Sequence, residues 1–256
     1  MNKLVLLVSI MVHWGAFAQN EEFKREVFVH DGDSLLYRVL WPENFDADEK
    51  YPVVLFLHGA GERGNDNQTQ LVHGSKLFRD SIQKYPAIVI FPQCPQDDYW
   101  ANVKKERNDY GYHHYFSNGE EPTPSMKLLM ALVDSVVLMP YVNTNRIYVG
   151  GLSMGGMGTF EIVYRMPDMF AAAFPICGGG NMESAAVYAK KVPFWIFHGA
   201  QDDIVLPYHS IKMRKAIADA GGDVELTIYP NANHNSWDPA FAEPGLLKWI
   251  FSHSKK

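Results

Sequence analysis

Gly151-Leu152-Ser153-Met154-Gly155 is the stretch whose residue types could do covalent chemistry. A β-branched and aromatic run, Ile147-Tyr148-Val149, precedes it, and residues 157–165 after it suit a helix. Strand, sharp turn, helix is the setting a serine nucleophile needs. The glycines let the backbone turn where a Cβ would clash. Ser153 would then stand above the strand end, with the first N–H groups of the helix facing any developing oxyanion. Such a serine also needs a base and a group to orient that base. His234 and Asp202 both follow strand-like apolar runs, and Asp203 is an alternative acid beside Asp202. Asp238, directly before Pro239, reads as a helix cap instead.

The elements that must position these groups follow from patterning. Residues 23–30 and 34–41 read as two strands around an Asp31-Gly32-Asp33 turn. Residues 52–57, 87–91, 146–150, 171–176, 193–197 and 224–229 read as six further strands, of which 52–57, 87–91 and 193–197 are apolar runs that suit burial on both faces. Helices are expected over 68–83, 125–139, 183–190, 207–220 and 238–252. The alternation predicts an α/β protein with a mostly parallel central sheet and helices on both faces. In such sheets, sites lie beyond the carboxyl ends of the strands. Residues 93–124 fit no regular element and are rich in aromatics, so they read as a lid or substrate wall. Tyr99 and Trp100 are its candidates for stacking on a sugar or phenolic ring. His113 and His114 read as solvated loop histidines, with contact of one of them to substrate as the alternative.

The 256 residues suit one sizeable domain, with 47% hydrophobic and 20% charged residues. Residues 1–18 differ in kind: Lys3, an apolar run over 4–12, then Ala16-Phe17-Ala18 before Gln19. That is the pattern of a secretory signal peptide, and the run is too short to span a bilayer. The reading is a leader over 1–18, a single domain over 19–256, and a secreted or periplasmic protein with no membrane attachment after cleavage. The net charge is −6, and one unit more negative without Lys3. An acidic chain whose one basic cluster, Lys104-Lys105-Glu106-Arg107, is interrupted by Glu106 is a poor nucleic-acid partner. No His-x-x-x-His or Cys-x-x-Cys spacing supports zinc, and no cofactor is expected.

The order Ser153, Asp202, His234 resembles the α/β-hydrolase superfamily. His58-Gly59-Ala60-Gly61 resembles its oxyanion loop, Gly151–Gly156 its nucleophile elbow, and Asn233-His234-Asn235-Ser236-Trp237 its histidine loop. His198-Gly199-Ala200-Gln201-Asp202-Asp203-Ile204-Val205 looks like its acid loop, whose spacing favours Asp202 over Asp203. Leu57-His58-Gly59-Ala60-Gly61-Glu62-Arg63-Gly64 and Pro92-Gln93-Cys94-Pro95 look most like small secreted esterases related to feruloyl and acetyl-xylan esterases, some labelled predicted peptidases.

The resemblance implies Ser153 as nucleophile, His234 as base, Asp202 as its orienting acid, and the Ala60 and Met154 N–H groups as the oxyanion hole. It implies a small-molecule or oligosaccharide ester as substrate. The rival readings are a prolyl-oligopeptidase-like peptidase, which would usually carry a large gating domain, and an inactive, carbohydrate-binding hydrolase fold. His58 and His198 are expected to be hydrogen-bonded structural residues, and Glu62 and Arg63 an internal ion pair. The family's strand order puts two strands between Cys94 and Cys177, about 14 Å of separation, so both should be free thiols.

Overall fold

The computed structural model describes residues 22–108, 111–117 and 119–255. The leader expected at residues 1–18 lies outside the described residues. Two antiparallel strands open the chain, β1 (Phe23–His30) and β2 (Asp33–Leu40). β3 (Tyr51–Leu57), β4 (Ile88–Gln93), β7 (Val142–Leu152), β8 (Ala172–Ile176), β9 (Phe194–Gly199) and β10 (Val224–Tyr229) join them in one eight-stranded sheet. Its order is β1-β2-β4-β3-β7-β8-β9-β10, parallel from β4 to β10.

Val53, Val54, Leu55, Phe56 and Leu57 of β3 are all 3% exposed or less. Each such burial contributes roughly 1.5–3 kcal/mol. Successive side chains face opposite sides of the sheet. Val53, Leu55 and Leu57 enter a core shared with α2 (Pro124–Val137), α3 (Met154–Arg165), α4 (Ala185–Tyr188) and α5 (Tyr208–Asp219). Val54 and Phe56 enter the opposite core, with α1 (Ser75–Arg79), α6 (Trp237–Phe241) and α7 (Leu246–Ser252). The chain therefore has the α/β-hydrolase fold, with helices on both faces of a mostly parallel sheet.

Several boundaries differ from the sequence reading. The helix expected over 68–83 shrinks to a 3₁₀ turn, Thr69–Leu71, and α1. Gly74, at φ +82°, breaks it where the backbone passes close to the Phe56 and Phe241 rings. The closing helix begins at Trp237, so Asp238 lies inside its first turn and caps nothing. Pro244-Gly245 then divides it into α6 and α7, because proline disfavours helical geometry in the residue before it. Residues 93–124 are more regular than expected. They hold a separate two-stranded hairpin, β5 (Val103–Asn108) and β6 (Gly111–Phe116). Cys94 and Cys177 are buried free thiols at the ends of β4 and β8, with β3 and β7 between those strands.

β7 runs past Gly150 to Leu152, held by β3 on one side and β8 on the other. A Cβ on Gly155 would stand 1.9 Å from the Leu57 carbonyl oxygen. Gly155→Ala is expected to lower stability by about 3 kcal/mol or more, read from the urea midpoint. Gly61→Ala, whose Cβ meets nothing within 4 Å, should stay within about 0.5 kcal/mol.

Candidate active site

Ser153 sits between β7 and α3 with φ +53° and ψ −113°, a conformation non-glycine residues rarely adopt. Its neighbours hold it there. Ser153 N–H donates to Ile176 O (2.9 Å), Met157 N–H donates to Ser153 O (2.9 Å), and Gly155 rests on the end of β3. A strained backbone kept by over-determining contacts is a recurrent mark of functional sites.

The loops after β9 and β10 bring the other two groups to this serine. Ser153 Oγ lies 2.9 Å from His234 Nε2, and His234 Nδ1 lies 2.8 Å from Asp202 Oδ2. A carboxylate only accepts, so Nδ1 carries the proton and the Nε2 lone pair faces the serine hydroxyl. The serine is half-buried, while Asp202 is 3% exposed. The exposed Asp203, the alternative acid, takes no part in this array.

Burial alone would raise the Asp202 carboxyl. Hydrogen bonds from the His198 and His234 rings and the Val205 N–H outweigh it and hold the group well below the usual carboxylate range. Oδ1 accepts from the Ile204 and Val205 N–H groups, both at 2.9 Å. Oδ2 receives the second imidazole as well, with His198 Nε2 3.1 Å away. That same nitrogen is 2.7 Å from Val205 O, so its proton is shared between carbonyl and carboxylate. His198 Nδ1 meets Ser210 Oγ at 2.7 Å. His198 is hydrogen-bonded and structural, and its position also braces the acid.

His58 is likewise a pin. Its Nδ1–H donates to Gly59 O (2.6 Å), and its Nε2 accepts from Cys94 N–H (2.9 Å). Burial pushes its pKa down to about 4, keeping the ring neutral. The pin fixes the Gly59–Gly61 loop against the elbow, since a Cβ on Gly59 would meet Leu152 Cδ1 at 2.8 Å. Ala60 opens a 3₁₀ turn, Ala60–Glu62, and Met154 opens α3. First-turn N–H groups have no intrahelical acceptor, which suits both to an anionic oxygen.

The Glu62–Arg63 ion pair does not form. Arg63 donates to Ala60 O (3.0 Å) and Asp98 O (3.2 Å), while Glu62 faces His73 at 3.8 Å.

Trp100 is corrected. It is fully buried, packed edge-on against His58 and under Gly158, so it is a core residue with no face for a ligand. Tyr99 is half-buried with Lys105 over its ring at 4.7 Å, which also occupies a stacking face. His114 is not solvated: it is 6% exposed, on β6. Trp237, the last residue of the stretch that resembles the histidine loop, brings its ring to 5.6 Å from that of His234.

Among the described residues, Cys177, Asp202 and His234 form one group whose donor atoms lie within 4.8 Å of one another. Two of them already share the 2.8 Å hydrogen bond, and burial followed by the Asp202 charge drives the Cys177 thiol far above its ordinary value. It stays protonated, a poor ligand and a poor rival nucleophile.

A hydroxyl, an imidazole and a carboxylate in a hydrogen-bonded row can perform acyl transfer. The family described as Phospholipase/Carboxylesterase matches residues 45–243. A solved thermostable esterase superposes with a TM-score of 0.78 at 32% identity, covering 91% of this chain and 63% of that one. The bifunctional acetylxylan esterase/xylanase XynS20E of Neocallimastix patriciarum is 31% identical over 75% of the chain and 24% of its own length. Dipeptidyl-peptidase 5 of Porphyromonas gingivalis is 23% identical over 82% of the chain and 34% of its own length. The chain thus spans about a quarter to a third of the length of these curated relatives.

Asp202→Asn is expected to slow labelling of Ser153 by a fluorophosphonate probe by about 10²–10⁴-fold, whereas Asp203→Asn should leave it within about twofold. The depressed Asp202 pKa also sets a sign for stability. Its contribution is complete above the unfolded value of 3.8 and is lost as pH falls through the lower native value.

Proposed function

We propose that this chain, which belongs to the phospholipase/carboxylesterase family, cleaves carboxylic esters through an acyl-enzyme formed on Ser153. The superfamily to which it belongs includes both esterases and peptidases, and all of them are hydrolases. The observation that carries the reading is the unbroken row from Ser153 Oγ through His234 to Asp202, at 2.9 and 2.8 Å. His234 removes the serine proton as Oγ attacks the acyl carbonyl, then returns it to the departing alcohol. Asp202 keeps the Nδ1–H tautomer and stabilises the imidazolium. The Ala60 and Met154 N–H groups receive the oxyanion, each worth about 10²–10³ in turnover. Water then repeats the sequence to release the acid.

Acyl or phenolic esters on polysaccharide fragments are the proposed substrates, supported by the likeness to the acetylxylan esterase/xylanase. The likeness to a dipeptidyl-peptidase keeps a peptidase reading in view, since the same row serves both reactions. Turnover of p-nitrophenyl acetate, methyl ferulate and peptide anilides separates them. Ester turnover at least about 10²-fold above anilide turnover is expected, and the reverse ranking overturns the proposal. Ser153→Ala should lose about 10⁴-fold or more. No activity and no probe labelling in the folded wild type would instead favour the inactive, carbohydrate-binding reading.

Export is proposed from residues 1–18. No described helix is long and apolar enough to cross a membrane. The intact mass of protein recovered outside the cytoplasm should correspond to a chain starting at Gln19.

A further inference from the structure

A cavity of about 520 Å³ lies between the β5–β6 hairpin and the start of α5. It adjoins the acid loop. Its lining includes Leu206, next in sequence to Val205, whose N–H holds Asp202. The hairpin is tied down here: Asn181 Nδ2 donates to Phe116 O at 3.1 Å. A Cβ on Gly179 would meet His209 at 2.7 Å and the Phe116 ring at 2.9 Å, so glycine is what lets hairpin and α5 close together. Gly179 lies two residues after Cys177, at the exit of β8, whose Ile176 O holds the Ser153 N–H. The fields of Asp202 and His234 reach His114. A larger cavity of about 720 Å³ is lined by Asn145, Ala171, Pro193 and Asp223, at the amino ends of the strands, away from this chemistry.

Three rings form one wall. His114 and Phe116 alternate onto the same side of β6 and stack with centroids 6.5 Å apart and planes tilted by 20°. His209 meets both edge-on, at 5.7 Å and 5.4 Å. His114 is 6% exposed, yet its Nδ1 has no hydrogen-bond partner among the described residues. Folded proteins rarely keep a buried polar atom unmet without a use for it. Burial lowers both imidazoles to about 4, with cationic neighbours adding to it, so each is neutral near pH 7. A neutral imidazole offers one N–H and one lone pair. A hydroxyl group, which donates and accepts, matches that pair better than a fixed charge does.

We infer that this cavity binds a hydroxyl-bearing ring of the ester, with Phe116 as its apolar face and His114 and His209 as its hydrogen-bonding groups. The inference rests on the ester-hydrolase reading for its place in a reaction, but the binding stands by itself. The ring could be the phenol of an acyl group or the sugar of the alcohol.

Calorimetry on full-length mature Ser153→Ala protein separates these. Methyl p-coumarate is compared with methyl cinnamate, which differs from it only in lacking the ring hydroxyl, and acetylated xylobiose with an acetylated alkyl alcohol. The hydroxylated member of one pair should bind about tenfold tighter, and that pair identifies the source. Adding His114→Phe, or His209→Phe should the first variant fold poorly, should bring the two members within about twofold. Equal binding within both pairs, or a preference that survives both histidine changes, overturns the inference. Wild-type turnover of p-nitrophenyl acetate is read separately. Its absence alongside discriminating binding would sink the hydrolase reading and leave the cavity assignment standing.

Discussion

The site depends on how closely the backbone of the elbow approaches its neighbours. Gly155 lies against the last carbonyl of β3, and a Cβ on Gly151 would fall 2.5 Å from the Gly155 oxygen. These contacts leave no room for side chains, so the turn from β7 into α3 has one geometry. That geometry forces Ser153 to positive φ and lifts its hydroxyl clear of the strand. It also sets the Met154 amide beside the loop after β3, because Leu57 and Gly151 are paired in register. The loop after β3 and the elbow are thus held side by side by backbone pairing of β3 with β7.

The acid works under the opposite condition, a charge taken almost wholly out of water. A carboxylate in that state is costly unless every lone pair is used. Asp202 uses two backbone N–H groups on one oxygen and two imidazoles on the other. His198 is the part of this arrangement that touches neither serine nor oxyanion loop. By sharing Oδ2 it restricts the direction from which His234 can approach, and Ser210 in turn fixes His198. The order thus runs from α5, through His198 and Asp202, to the imidazole beside Ser153.

Residues 93–124 serve the site on two sides. Tyr99 and Trp100 fold inward, where Trp100 packs against the His58 ring that steadies the oxyanion loop. The hairpin reaches the other way, toward the acid loop, and closes over Gly179. One segment therefore supports the loop after β3 with a buried ring and walls the acid side with two others, His114 and Phe116, which meet His209 of α5.

Residue order alone made the eight strands of the main sheet and the candidate chemistry legible, but not β5 and β6. Strand-like runs such as the apolar 52–57 and the alternating 224–229 are too short for helices, and glycine spacing around Ser153 admits little but a tight turn. Asp202 and His234 were legible because each follows such a run, and strand exits in a parallel sheet share one edge. Only the tertiary structure decided between a stacking and a supporting role for Trp100, since an aromatic side chain has the same composition signal in a cleft as in a core. It likewise moved His114 from solvent to near burial and gave His198 its second acceptor. It turned Glu62 from Arg63 toward His73. Those outcomes depend on which distant segment lies opposite, and pairing between segments far apart in the chain leaves no local trace in residue order.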